Sequence, residues 1–380
     1  MKEVYINKAA VFLPNKVVEN SEMEEYLGYV NGKPSRSKAI VLRRNGIKQR
    51  YYALKKGGKS THTNAEMTAL AVKNLFDNDR TELKKIDLLC CGTSTPDQTM
   101  PSHGVMVHGH LPETRNIEVV SPSGVCCSGM HALKYAYMSI KIGDKQKAIS
   151  TGSERIASMM TRDKFDEEMI FAEKIEENPY LAFSKDFLRW MLSDGAGAFL
   201  VEAEKNTDAL SLRVDWIEGC SYANEVEACM YAAADKDDSG ELISYKDYDA
   251  KGLINESVMS IKQDVKLLSK NILKLGFDHL QRILKEKNKS VDELTYFLPH
   301  ISSFFFEKPI EEILIENEME IPKEKWFTNL ATKGNVGAGS IYLMVEELMN
   351  SGKLKAGDQI LLAVPESARF SYVFTWLTVC

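Results

Sequence analysis

The sequence predicts an α/β protein made of two duplicated halves. Helix and strand patterns alternate along the chain, and one order of elements occurs twice. The bulk composition is that of an ordinary globular chain: 380 residues, 44% hydrophobic and 27% charged, with 48 Lys+Arg against 54 Asp+Glu for a net charge of −6. The length suits two domains, or two fused halves around one large core.

Met1 to Pro14 reads as an alternating strand with Val4, Ile6 and Val11 to Leu13. It lacks the basic region, apolar run and cleavage site of a signal peptide, so a cytoplasmic location is expected. A helix over Asn64–Phe76 leads to a strand over Asp87–Gly92, and Ile117–Val120 is a further strand. Gly124 to Gly129 ends a strand and opens a helix over Ser128–Lys141, which closes at Gly143-Asp144 and runs into strand Ala148–Ser150. Strand Ala196–Glu202 follows. The second half repeats the order: helix Val258–Glu286, strand Thr295–Leu298, a turn from Gly334 to Gly339, helix Gly339–Asn350, a stop at Gly357-Asp358 and strand Gln359–Val364. This divides the chain into halves 1–205 and 206–380. Two stretches break the pattern and read as insertions over or beside the cleft, a charged helical one at about 159–190 and an acidic, turn-rich one at about 221–252. Duplicated βαβ-type halves bring two strand ends and two helix starts together around a pseudo-twofold axis, and the cleft there is the natural site.

Composition excludes several partners. A mildly acidic chain without Lys/Arg blocks has no electrostatic footprint for nucleic acid or an anionic membrane. No stretch approaches the roughly 20 consecutive apolar residues of a membrane span. Seven cysteines, four of them in the adjacent pairs Cys90-Cys91 and Cys126-Cys127, suggest neither a disulfide framework nor a zinc knuckle.

Three residues stand where chemistry collects. Cys127 lies in Ser123-Gly124-Val125-Cys126-Cys127-Ser128-Gly129, where a strand passes into a helix. Unpaired N–H groups and the positive end of the macrodipole favour a thiolate there, and the same turn offers a backbone N–H to an oxyanion. The alternative is that both cysteines are small buried hydrophobes. His300 follows the strand Tyr296-Phe297-Leu298, and α/β ligand sites gather at strand ends. Asn335, in Lys333-Gly334-Asn335-Val336-Gly337-Ala338-Gly339, occupies the second-half counterpart of the Cys127 turn, although an Asn there can also simply hold an αL turn.

On these residues the chain resembles the condensing enzymes of the thiolase superfamily, specifically the 3-oxoacyl-[acyl-carrier-protein] synthase III family. Cys127-Ser128-Gly129 is similar to the family's nucleophile turn, Pro299-His300 to its histidine loop and Gly334-Asn335 to its asparagine turn. Arg44 to Arg50, Thr151-Gly152-Ser153-Glu154 and Ser193 to Ala198 add blocks in the expected order over nearly the whole chain. The resemblance implies a five-layer αβαβα fold and a Claisen condensation. Cys127 takes an acyl group from a thioester, and a carbanion from a malonyl or 3-ketoacyl thioester attacks it. Asn335 and His300 donate to the partner's thioester oxygen, and backbone N–H groups at Cys127 and Ser367 hold the acyl oxyanion. It also implies a homodimer, acyl carrier protein as a partner and no cofactor beyond the acyl thioester of the carrier protein or coenzyme A.

The chain departs from the family in places. Pro365-Glu366-Ser367-Ala368-Arg369 replaces a Gly-rich run beside the oxyanion hole. Ser303 and Phe305 stand where a cofactor-contacting polar residue and an arginine often follow the histidine, while Arg44 matches a residue at the pantetheine tunnel mouth. Met100 matches a residue that reaches into the partner subunit's acyl pocket. Olefin-pathway relatives carry a glutamate base there, and methionine cannot remove a proton, which favours a decarboxylative or base-free carbanion step. The long insertion and Phe187 to Gly195 look most like the aryl-lipid, dialkylresorcinol-type branch. Rival readings are a thiolase or thioester hydrolase using the same Cys, and a non-catalytic partner subunit of a condensing-enzyme dimer.

Two patterns are decoys. Asp235 to Leu242 imitates the start of a calcium loop, but Lys246 stands where the bidentate glutamate belongs. His103, His108 and His110 do not share one helix face, so a metal site is not expected.

Overall fold

The computed structural model describes residues 1–35, 37–76, 79–164, 188–255 and 258–380. Most of the insertion expected at about 159–190 lies outside them. In chain order the main elements are β1 (Tyr5–Phe12), α1 (Asn64–Asn74), β2 (Leu88–Thr93), α2 (His103–Gly109), β3 (Glu118–Val120), α3 (Ser128–Ile142), β4 (Lys147–Glu154) and β5 (Gly195–Glu202). They continue with β6 (Leu212–Ser221), α4 (Val265–Lys287), β7 (Tyr296–Pro299), α5 (Glu307–Glu316), α6 (Ser340–Asn350), β8 (Gln359–Glu366) and β9 (Ser371–Val379).

The nine strands form one sheet in the order β7-β8-β9-β6-β1-β5-β4-β2-β3. The pairing pattern repeats on either side of β1 and β6. In the first half β2 and β4 are parallel, β4 and β5 antiparallel, and β5 and β1 antiparallel. In the second, β7 and β8 are parallel, β8 and β9 antiparallel, and β9 and β6 antiparallel. A short antiparallel join, Tyr5 with Arg213 and Ile6 with Leu212, makes the seam.

Strand periodicity then builds the layers. Side chains alternate across a strand, so each half-sheet presents two apolar faces. On β8, Ile360, Leu362 and Val364 enter one core with α3 and α6, while Leu361 and Ala363 enter another with α4 and α5. On β2, Leu88 and Cys90 join the α3/α6 core, and Leu89 and Cys91 pack with α1 and α2. The result is five layers: α1/α2, the first half-sheet, α3/α6, the second half-sheet, α4/α5. Strands covered on both faces explain the near-continuous apolar runs in the sequence. The middle helices are the most enclosed: Leu133, Ala136 and Ile140 of α3 are fully buried, and each large one contributes roughly 1.5–3 kcal/mol relative to exposure.

One boundary differs from expectation. The helix expected from Val258 begins at Val265. Asp264 caps it, its carboxylate accepting the Leu267 N–H at 2.9 Å, and the preceding Lys262–Gln263 pairs with Met230–Tyr231 instead. The segment 221–252 is also tied to the turn after β8, where Ala368 O accepts the N–H groups of Cys229 (2.7 Å) and Met230 (3.1 Å).

Candidate active site

Cys127 is the N-cap of α3 and is fully buried. Its thiol donates to Val364 O on β8 at 3.3 Å. The preceding carbonyl on the same strand, Ala363 O, accepts the His300 backbone N–H at 2.8 Å, an extension of the parallel β7–β8 ladder. Cys127 and His300 thus hang from adjacent peptide units of one strand, although 173 positions separate them (300 − 127). The sequence places each at an element end; only the β7–β8 pairing makes them neighbours.

Asn335 comes from the turn before α6. Its backbone is clamped to the segment before β5: Asn335 N–H donates to Met191 O at 3.2 Å, and Ser193 N–H donates to Asn335 O at 2.9 Å. Its side-chain Oδ1 accepts Gly337 N–H at 2.9 Å. That bond orients the amide, and Nδ2 is left without a partner among the described residues. Further along the turn, Ala338 O packs against two glycines of the first half. A Cβ on Gly129 would lie 2.5 Å from it, and one on Gly152 2.2 Å. The α3 start and the Asn335 turn therefore approach more closely than any side chain allows.

Burial fixes the ionisation of the site. The His300 ring is fully enclosed, which lowers its pKa to about 4 and leaves a neutral imidazole with one N–H donor. The thiolate expected at Cys127 is corrected by the structure: burial first, and the nearby Glu366 carboxylate second, push this thiol well above its ordinary range. Desolvation outweighs the helix terminus, and the resting group is S–H.

The donor expected at Cys127 already has a partner in the folded chain. Glu366 Oε2 accepts the backbone N–H of Cys127 at 3.1 Å and that of Val125 at 2.9 Å. The N–H assigned to an acyl oxyanion is occupied by a carboxylate from the strand end that replaces the family's Gly-rich run. Ser367, the other expected donor, is half-buried next to it, with Oγ facing Gln263 Nε2 at 3.4 Å.

The segment that carries Arg44 packs against the turn that carries Ser303 and Phe305: a Cβ on Gly46 would lie 2.7 Å from the Phe304 ring. Arg44 is exposed near the end of the short helix Lys38–Asn45, Phe305 is 57% exposed and Met100 is 82% exposed. Ser303, expected with Arg44 and Phe305 to bind substrate or pantetheine, is buried, and its Oγ accepts the Phe305 N–H at 3.2 Å as the cap of a short turn. The calcium-like loop is closed internally, Asp237 Oδ1 accepting from Ser239 and Glu241, while Asp235 pairs with Lys262 at 2.9 Å. His103 bonds Thr68 and Ser153, and His108 bonds Thr114 and Arg115.

Two buried carboxylates explain motif blocks to which the sequence assigned no role. Asp194 accepts the N–H groups of Ala53 (2.7 Å), Ile156 (2.7 Å) and Ala157 (2.8 Å). Glu154 accepts from Ser94 N–H at 3.1 Å, the Thr95 hydroxyl at 2.6 Å and Ala338 N–H at 3.2 Å. Both shape the loops around the cleft. Their one sequence signal is a carboxylate inside an otherwise small or apolar run.

The comparisons agree with this architecture. The model described as 3-Oxoacyl-[acyl-carrier-protein (ACP)] synthase III C terminal matches residues 284–365, and that of the Beta-ketoacyl synthase N-terminal domain matches 118–207. The chain is 24% identical over 375 residues to the beta-ketoacyl-[acyl-carrier-protein] synthase III of Sulfurovum sp. (strain NBC37-1), covering 95% of this chain and 92% of that one. Among solved structures it is similar to the tetronic acid condensing enzyme AbyA1, with TM-score 0.76, 20% identity and 99% of each chain covered. It is also similar to Xanthomonas campestris OleA solved with lauric acid and lauroyl-CoA, with TM-score 0.74, 17% identity and 99% of each chain covered. Five layers from two repeated half-sheets are the fold of these solved structures, and over 95% of its length the chain is similar to beta-ketoacyl-[acyl-carrier-protein] synthase III, a condensing acyltransferase.

Proposed function

We propose that Cys127 carries the acyl group and that His300 and Asn335 stabilise the carbanion formed from a second thioester. What supports this reading is that the Cys127 thiol and the His300 backbone bond adjacent carbonyls of one strand, and that the turn carrying Asn335 packs against the helix start carrying Cys127. Cys127 hangs on Val364 O, His300 on the adjacent Ala363 O, and Asn335 sits in the turn packed against Gly129. Cys127 attacks a thioester carbonyl, its proton leaves with the departing thiol, and an acyl-enzyme remains. The neutral His300 N–H and the Asn335 Nδ2 then donate to the partner's thioester oxygen as it becomes an enolate, one such donor being worth about 3–4 kcal/mol. With a malonyl partner the C–C bond to its carboxylate breaks and carbon dioxide leaves, the enolate carbon bonds to the acyl carbonyl carbon, the C–S bond to Cys127 breaks, and the sulfur takes a proton from water.

The carrier is read as acyl carrier protein, the working unit as a homodimer and the location as the cytoplasm. All seven cysteines are free, which suits a reducing compartment. The exposed Met100 suits a residue that a second subunit covers. No cofactor enters the scheme. No helix among the described residues is long and apolar enough to cross a membrane. The test is intact-mass analysis after incubation with a panel of acyl thioesters, then addition of a malonyl or 3-ketoacyl partner and identification of the product. An adduct on Cys127 followed by a longer carbon chain supports the reading; free acid as the sole product refutes condensation.

A further inference from the structure

The carboxylate of Glu366 is an unexpected occupant of the site. It is 9% exposed, sits at the end of β8 and takes two backbone N–H groups of the nucleophile turn. A thioester carbonyl entering to react with Cys127 needs the Cys127 N–H, so the first half-reaction displaces the Glu366 side chain. The displaced carboxylate stays tethered to its strand beside the new acyl-enzyme, and its lone pairs no longer point at N–H groups.

We infer that Glu366, released by acylation of Cys127, is the base that removes the α-proton of an acceptor thioester with no carboxyl group to lose, such as a 3-ketoacyl thioester. This rests on Cys127 being the acyl carrier. The base is needed because Met100 is a thioether and cannot take a proton. The other buried carboxylates near the cleft are committed. Glu154 is held by Ser94, Thr95 and Ala338, and Asp194 by Ala53, Ile156 and Ala157. Among the described residues Glu366 is held by the N–H groups of Val125 and Cys127, and the acyl group competes for the second. The reaction balances without a further reagent. The C–H bond of the acceptor breaks, its proton goes to Glu366 and its electron pair forms the enolate held by His300 and Asn335. The enolate carbon bonds to the acyl carbonyl carbon, the C–S bond to Cys127 breaks, and the sulfur takes the proton back from Glu366. Coupling the base to acylation keeps it away from the acceptor until an acyl group is in place.

The test uses the full chain and Glu366→Gln, which keeps an oxygen for the two N–H groups but cannot accept the proton. Acyl-enzyme formation is followed by intact mass. Each acylated protein is then given a malonyl or a 3-ketoacyl thioester. Expected is acylation of Cys127 within about threefold of wild type and condensation with the malonyl partner likewise retained, because loss of carbon dioxide makes that carbanion without a base. Condensation with the 3-ketoacyl partner falls by roughly 100-fold or more, the usual contribution of a general base. Equal loss with both partners, or unchanged use of the 3-ketoacyl partner, overturns the assignment. A variant that fails to acylate while wild type does makes Glu366 part of the first step and overturns it too. No adduct on wild-type Cys127 overturns the acyl-enzyme reading instead. Glu366→Ala, which opens the donor set, is expected to acylate at least as fast as wild type, and slower acylation of a folded Ala variant counts against displacement.

Discussion

Glu154 and Ala338 join the two halves of the molecule: the Glu154 carboxylate at the end of β4 accepts the Ala338 backbone N–H at 3.2 Å, across 184 positions of sequence. The same oxygen accepts Ser94 N–H, and the other accepts the Thr95 hydroxyl. Burial raises the Glu154 pKa and these bonds pull it back, so the carboxylate is worth holding there only with its donors in place. It anchors the turn that presents Asn335.

Glu154→Ala should therefore destabilise the fold and loosen the Asn335 turn together. The buried Ala338 N–H and the half-buried Ser94 N–H lose their acceptor, at about 1–3 kcal/mol for the buried one, so a loss of roughly 2–4 kcal/mol is expected in urea unfolding. Acylation of Cys127 should survive better than condensation. A stability change under about 0.5 kcal/mol would contradict this role.

Cys127→Ala should abolish the acyl adduct, and Cys126→Ala should keep it. Cys127 donates to Val364 O at the cleft seam, whereas Cys126 is a neighbour packed against the core. Labelling that follows Cys126 would reassign the nucleophile.

Asn335→Ala and His300→Ala should both still acylate. Each should lose about 100- to 1,000-fold in carbanion formation, measured as release of carbon dioxide from a malonyl thioester. If both half-reactions fall by the same factor, the division of labour is wrong.

Gly152→Ala should be severe, because its Cβ would stand 2.2 Å from Ala338 O and the obstacle is backbone. Overpacking of that kind costs about 1–3 kcal/mol or more. Gly109→Ala, with nothing within 4 Å of the new methyl, is the control and should leave the melting temperature the same or slightly higher. Equal behaviour of the two variants would refute the close seam.

The His300 ring should titrate near 4, not near 6.5, in an NMR pH series on labelled histidine. The sign for stability follows. The unfolded ring binds its proton at about 6.5 and the folded ring only at about 4, so the contribution of His300 is fully present above about 6.5 and is lost as pH falls through 4. A His300 signal titrating between 6 and 7 would show a solvated ring.

Much of this molecule is readable along the chain, because its determinants are local. The turn that puts Cys127 at a helix start, the stop at Gly143, the apolar strand runs and the repeated order of elements are each set by residues within a few positions of one another, and they suffice for the α/β class and the three candidate side chains. The Val258 boundary was missed because Lys262–Gln263 finds its partner over 30 positions away, at Met230–Tyr231. The cap that Ser303 forms on Phe305 N–H, and the burial that keeps Cys127 a thiol, are not visible in the local sequence.

Pairing and desolvation belong to the folded chain alone. Which strands are neighbours decides that Cys127 and His300 share one strand's carbonyls, and exclusion of water decides that the imidazole is neutral and the thiol protonated. Glu366 shows the difference most directly. In sequence it is a departure at a strand end; in the fold, 239 positions from Cys127, it occupies the N–H group that the nucleophile turn offers. Local propensity acts over a few residues, whereas low dielectric and hydrogen-bond partners come from whatever the fold brings near.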